Sequence, residues 1–465
     1  MPSQNRGFHS ISGLWPLSAV AAFFLLIPAL ALGQEERQAP RAVPRVPIYD
    51  PGTPVMKKVL KNGVTLLVQE QRTSERVAGA VAVRMGAVYE SDDDAGRGQV
   101  LIKSMTVATR KLPATELALR LLAADARIES GAGTDLGQIS ITSKREQVDQ
   151  AIDLLSQVVL QPDFPDTAVE ASRQRALTAA AEENENPLKA AYSMYLATMF
   201  RGSPLARPIS GTVSGIADCR KKDLVALHRK YFAGGNMVVC FVGNLDGNKV
   251  MAQLEKAFAA ASAGKALEPV PGPPVPLAAD TTVTAERDMP SAVMTFGYPA
   301  PGYTEPDYAA FKIIEYYLSS PDRSPIAYWM RQRGQSTVVG VIFPPYPKRS
   351  SIAVYLGAPP SRLQAARDTV AAVMGRLKTQ PLDDGEWAEQ LKRVQNSTFA
   401  NQNDPLVRAR AMSQFEAAGV GYEFQRHFEE ALLKLNPESL RETAARWFTH
   451  SSEGAITPVR SESKL

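Results

Sequence analysis

Apolar positions along the chain recur with two different spacings. From Val59 to Val68 they flank Asn62-Gly63, a dipeptide suited to a tight turn because glycine tolerates positive φ, so this stretch predicts a hairpin. Val77–Val88 reads as a strand, Gly98–Thr109 and Glu116–Ala124 as helices, and Gln138–Thr142 as a strand that Gly131-Ala132-Gly133 enters through a turn. Helices follow at about 146–160, 166–183 and 188–199. Further on, a strand is predicted at 292–296, a helix at 307–318, paired strands at 338–343 and 352–356, and a helix at 361–377. Strand and helix periods mixed in this order, with hairpins among them, predict an α+β fold in which helices cover a largely antiparallel sheet.

The pattern occurs twice. Gln161-Pro162 and Asn186-Pro187-Leu188 bracket a helical stretch in the first half, and Gln380-Pro381 and Asp404-Pro405-Leu406 bracket one in the second, offset by 219 and 218 residues. Asp223-Leu224 to Tyr231-Phe232 matches Ser439-Leu440 to Trp447-Phe448 at an offset of 216. Between the halves lie Pro269, Pro271, Pro273, Pro274 and Pro276, which neither a helix nor a central strand accommodates. The expected organisation is two homologous domains at 50–262 and 280–457, a proline-rich linker at 263–279 and a tail at 458–465.

The beginning of the chain changes the expected compartment. Arg6, the apolar run Ala19–Leu32 and the small residues around Gly33 form the pattern of a secretory signal at 1–33, followed by an extension at 34–49. The run is shorter than the ~20 residues of a spanning helix, so a periplasmic or secreted protein with no further membrane segment is expected. Lys and Arg number 52 against 48 Asp and Glu, scattered through the helices, which argues against a nucleic-acid partner. Cys219 and Cys240 are too few for a disulfide scaffold, and Cys240 lies in an apolar strand pattern that predicts a packed thiol.

Leu60-Lys61-Asn62-Gly63, Asn186-Pro187, the run Pro204–Thr212, Leu224–Phe232, and Asn236–Val239 with Val242-Gly243-Asn244 together resemble the insulinase/pitrilysin family in order and spacing across nearly the whole mature chain. The resemblance implies two α+β domains forming half of a clam shell that closes on peptides. Active members carry His-x-x-Glu-His on a first-domain helix and a further Glu on a later one. Two imidazoles one turn apart and the distant carboxylate hold zinc, while the intervening Glu activates a water. Alignment on Met105 puts Val100-Leu101-Ile102-Lys103-Ser104 at the motif, and counting back from Asn186-Pro187 puts Ala179 at the third ligand. Val100 and Ser104 are not histidines, and Lys103 brings an ammonium where the catalytic carboxylate belongs.

Of the four histidines, His9 lies in the signal, and His228, His427 and His450 have no second His nearby; all three are expected on helix or chain surfaces. Asp92-Asp93-Asp94 is expected to be a solvated acidic cluster. The family also implies an Arg–Tyr pair that grips substrate from the partner half. Arg331 matches the Arg, whereas the Tyr falls on Thr337 or Val338. The expected function is therefore an exported, catalytically inactive subunit without a cofactor of its own. The resemblance implies that it pairs with a zinc-bearing homologue, as a hetero-oligomer, around peptide substrates. Alternatives are a peptide-binding or scaffold protein of the cell envelope and, from family membership alone, a zinc metalloendopeptidase.

Overall fold

Strand Arg76–Arg84 is buried along nearly its whole length, so both its faces must be covered, and its sequence divides the work. Val81 and Val83 face the helices of the first half, whereas Ala78, Ala80 and Ala82 line the other face, where short side chains let a helix approach closely. The computed structural model describes residues 50–270, 277–319, 324–336 and 338–459. The expected signal at 1–33, the extension at 34–49, part of the linker, Thr337 and most of the tail lie outside the described residues.

Two mixed sheets covered by helices form the architecture. The first has the spatial order Met56–Val59, Thr65–Glu70, Met237–Gly243, Arg76–Arg84, Leu136–Lys144, Arg127–Ala132. The second has the order Thr281–Arg287, Ser452–Pro458, Ala292–Ala300, Ser350–Ala358, Val338–Ile342. Thr65–Glu70 runs parallel to Met237–Gly243, and Thr281–Arg287 runs parallel to Ser452–Pro458; the other neighbours are antiparallel. Leaving aside Met56–Val59, which extends the first sheet by one strand, the parallel pair occupies the same end of both sheets, a topological duplication that accompanies the repeated sequence landmarks.

The opening hairpin forms with Val59 opposite Thr65 and Gly63 at φ +96°. Helices at Val148–Leu160, Asp166–Glu185 and Pro187–Met199 also lie where the periodicity predicts them. The helix expected over Gly98–Thr109 stops at Ser104, because Ala108 and Thr109 turn away to pair with Pro162 and Asp163. Strands Arg127–Ala132 and Thr281–Arg287 have no counterpart among the predicted elements. Both are edge strands with little apolar alternation, since only one flank of each is paired.

The halves interlock through an exchange of helices. Pro405–Ala418, from the second half, packs on the alanine face of the first sheet, with Ala409, Met412 and Ala417 against Leu67, Val238, Cys240 and Val242. Reciprocally, Pro187–Met199 lies on the second sheet, with Ala190 and Ala191 against Val293 and Ile456. Asn186 and Asp404 cap these two helices through side-chain oxygens that accept from the N–H groups of Leu188 and Leu406, and proline follows each cap. The repeated Asn-Pro-Leu and Asp-Pro-Leu landmarks therefore mark the start of the exchanged helices.

Polar contacts hold the same junction. Gln138 Nε2 donates to Arg410 O at 3.0 Å, Arg410 pairs with Glu129 at 2.6 Å, and Arg84 donates to Ala417 O at 2.8 Å and to Leu267 O in the linker. The described part of the linker is extended and lies on the first domain, where Leu267 N donates to Asn236 Oδ1 and Gly235 N donates to Gly264 O. Among the described residues no helix is long and apolar enough to cross a membrane.

Candidate functional site

Helix Arg97–Ser104, where the resemblance places the metallopeptidase motif, begins at a tight backbone clasp. Gly96 has φ +98°, and the N–H groups of Gly96 and Gly98 each donate to the Glu90 carboxylate at 2.7 Å. A Cβ on Gly98 would lie 2.7 Å from Glu90 Oε1, so any side chain there would push the carboxylate out of the clasp. Burial raises the Glu90 pKa, outweighing the two donors that favour its charged form.

Within Arg97–Ser104 the matched positions point in different directions. Val100 and Ser104 are fully buried in the first core with Leu101 and Ile102, and Ser104 Oγ has no hydrogen-bond partner among the described residues. Lys103 lies on the opposite, outward side, where Nζ donates to Ser130 O on the neighbouring edge strand. Burial chiefly, helped by the positive charge of Arg175 and opposed by Glu129, lowers the Lys103 pKa. One turn earlier Gln99 Nε2 donates to Ala132 O at 2.8 Å and to Ile209 O at 3.2 Å.

Helix Asp166–Glu185 packs against this helix through Ala176 and Ala180 in the shared core, while Ala179 is exposed. Val100, Ser104 and Ala179 supply neither imidazole nor carboxylate, and Lys103 carries an ammonium. The four side chains therefore do not fit zinc. Among the described residues no group of three or more His, Cys, Asp or Glu is gathered as a metal site.

The remaining candidates are dispersed. Asp92–Asp94 forms a short surface turn in which Asp92 pairs with Arg207 at 2.9 Å and Asp94 with Arg97 at 3.0 Å. Arg331 is exposed in the last turn of helix Pro325–Gln332, and Val338 begins the Val338–Ile342 edge strand. His427 is exposed, and His450 Nδ1 lies 3.8 Å from Asp280.

His228 departs from the surface role expected of it. Its ring stacks on Phe232, meets Phe164 edge-on, and brings Nε2 to 2.8 Å from Val159 O; burial lowers its pKa. The helix turns that histidine toward its neighbour because Leu224 and Tyr231 on the same helix are buried. Cys219 and Cys240 are both buried and free. The Glu90 clasp and the lysine contact were not anticipated from sequence: their clues are the Gly96-x-Gly98 spacing and a Lys directly after the apolar run Val100-Leu101-Ile102.

Residues 65–213 match the family model described as Insulinase (Peptidase family M16), and residues 218–394 match the model described as Peptidase M16 inactive domain. An uncharacterized zinc protease of Rickettsia felis is 21% identical over 44% of this chain and 50% of its own length. Cytochrome b-c1 complex subunit 1 of Bos taurus is 22% identical over 57% of this chain and 55% of its own length. The matched stretch thus spans about half of each of these relatives. The crystal structure of a protease from Helicobacter pylori superposes with a TM-score of 0.80 at 16% identity, covering 87% of this chain and 99% of that one, a likeness of fold. Two family models matched in succession, on a duplicated fold of this type, make the chain a member of the M16 insulinase family.

Proposed function

We propose that this chain is a catalytically inactive M16 subunit that works outside the cytoplasm and joins a zinc-bearing homologue to enclose a chamber for peptides. One observation carries the reading: at the motif helix Val100 and Ser104 are packed into the core, and Lys103 is engaged with a backbone carbonyl. Recovering a metal site there would require replacing core residues as well as reversing a charge. Export is supported by the apolar run Ala19–Leu32.

The surface supports a partner. Helices Ala114–Ala123 and Pro325–Gln332 each come immediately before an edge strand, Arg127–Ala132 and Val338–Ile342 respectively. Leu119 and Leu122 are 60% and 77% exposed on the first helix, and Tyr328 and Trp329 are 46% and 42% exposed on the second. Large apolar side chains left open at corresponding places in both halves suit contact with another protein. The Bos taurus relative is named as a subunit of a complex, in keeping with such an arrangement.

Metal content and peptide cleavage, measured on the purified mature chain and again after mixing with a co-encoded homologue, test the proposal. The expected result is no stoichiometric zinc and no cleavage alone, with cleavage by the mixture exceeding that of the homologue by itself. One zinc per chain with cleavage in isolation would overturn it; a homologue unaffected by this chain would favour an envelope-scaffold role.

A further inference from the structure

The register of the first sheet reveals which backbone groups of strand Arg127–Ala132 face away from it. Gly133 N donates to Leu136 O, and Gly131 pairs with Gln138, Glu129 with Ser140 and Arg127 with Thr142. Antiparallel pairs alternate between bonded and non-bonded, so residues 127, 129, 131 and 133 direct their N–H and C=O inward. The carbonyls of Ile128, Ser130 and Ala132 consequently point to the open edge. An open edge of this kind is a template on which an extended chain can add as another strand.

Two of those three outward carbonyls are already engaged. Lys103 Nζ donates to Ser130 O, and Gln99 Nε2 donates to Ala132 O at 2.8 Å. Both donors come from the same face of helix Arg97–Ser104, one turn apart, matching the two-residue repeat of the strand's outward groups. The contact is charge-assisted at Ser130, where the lysine ammonium meets the carbonyl. An incoming strand must displace both donors before its own N–H groups reach these acceptors. The lysine side chain also stands in the space that strand would occupy.

From this geometry we propose that Lys103 and Gln99 form a built-in guard that closes the Arg127–Ala132 edge to strand addition. A peptide held by this protein would then be gripped elsewhere, even though the edge lies beside the motif helix. The same residue that occupies the position of the catalytic acid thus has a positive structural task. Such a guard operates whether or not the chain is active and whether or not it has a partner.

The test uses the mature chain, a Lys103→Met/Gln99→Leu double variant and a Lys103→Arg variant that retains a donor. Each is titrated with a labelled neutral peptide of ten residues alternating valine and threonine. Fluorescence anisotropy gives affinity, and hydrogen exchange is followed in the 127–133 segment, where an added strand would protect the outward amides. The double variant is expected to bind at least tenfold more tightly than the parent and to slow exchange in that segment. The parent and Lys103→Arg should show no peptide-dependent protection there. Equal protection in parent and double variant would overturn the guard, as would a folded double variant that gains neither affinity nor protection; circular dichroism establishes its folding.

Discussion

Gly454 and Gly375 invite the same substitution with opposite consequences. Gly454 sits in the strand Ser452–Pro458, under the exchanged helix Pro187–Met199. A Cβ there would lie 2.4 Å from Ala191 O and 2.6 Å from Tyr195 N, both backbone atoms of that helix. These distances fall about 1 Å inside the roughly 3.5 Å at which nonbonded heavy atoms rest, so the helix must lift from the sheet. Overpacking typically costs about 1–3 kcal/mol, and an obstacle made of backbone places Gly454→Ala near the upper end, about 3 kcal/mol. Gly375 is inside helix Leu363–Thr379, where an added methyl would meet nothing within 4 Å, so Gly375→Ala removes only chain entropy and should stabilise by roughly 0.5–1 kcal/mol. Urea denaturation of parent and both variants, followed by far-ultraviolet circular dichroism and linear extrapolation, measures the difference. A Gly454→Ala midpoint indistinguishable from the parent, or shifted upward with that of Gly375→Ala, would refute the close helix–sheet approach.

Arg84→Ala should cost about 2 kcal/mol in the same assay, since it strips donors from Ala417 O near the end of an exchanged helix and from Leu267 O in the linker; Arg84→Lys, lacking the guanidinium fork, should recover only part of the loss. Burial pushes the Asp135 carboxyl up to about 6, against the attraction of Arg84. Because the folded state then holds this proton more tightly than the unfolded state, the associated stability is present below about pH 4 and is lost as pH rises through about 6. Denaturation midpoints of parent and Asp135→Asn across roughly pH 4–8 should therefore diverge in favour of the variant at the upper end, and parallel profiles would contradict the burial. Cys219, whose thiol burial pushes up to about 11, and Cys240, raised further by complete burial, should give no thiol titre in the native chain and two in urea; no titre in either state would indicate a disulfide.

Much of the domain-level organisation is legible in local pattern. The Asn62-Gly63 hairpin and the helices after Gln161 depend on turn chemistry and on a 3.6-residue apolar repeat, both of which are local. Edge strand Arg127–Ala132 escapes that reading because Ile128 is its single large apolar residue, and its conformation is imposed by Leu136–Lys144 beside it. His228 escapes for a related reason: its own helix is amphipathic, but the edge-on partner Phe164 and the acceptor Val159 come from distant segments. At the candidate site, the identities of Val100, Lys103, Ser104 and Ala179 can be read directly, whereas their orientations cannot. Only packing reveals that Lys103 turns toward Ser130, that Ser104 is sealed in the core and that Ala179 is exposed beside the buried Ala180.

By itself, then, the sequence determined the duplication, the α+β character and the residue types at the expected motif positions, because each is encoded in identity, order or short-range periodicity. The tertiary structure alone decided that each half lends a helix to the other's sheet and that Gln99 and Lys103 of helix Arg97–Ser104 reach the carbonyls of an edge strand. Those features arise from contacts between residues far apart in the chain: Pro187–Met199 meets Ser452–Pro458, Pro405–Ala418 meets Arg76–Arg84, and Lys103 meets Ser130. Local propensity supplies helices and strands, but which faces they bury is settled only when small residues such as Ala80 and Gly454 admit a backbone from the other half.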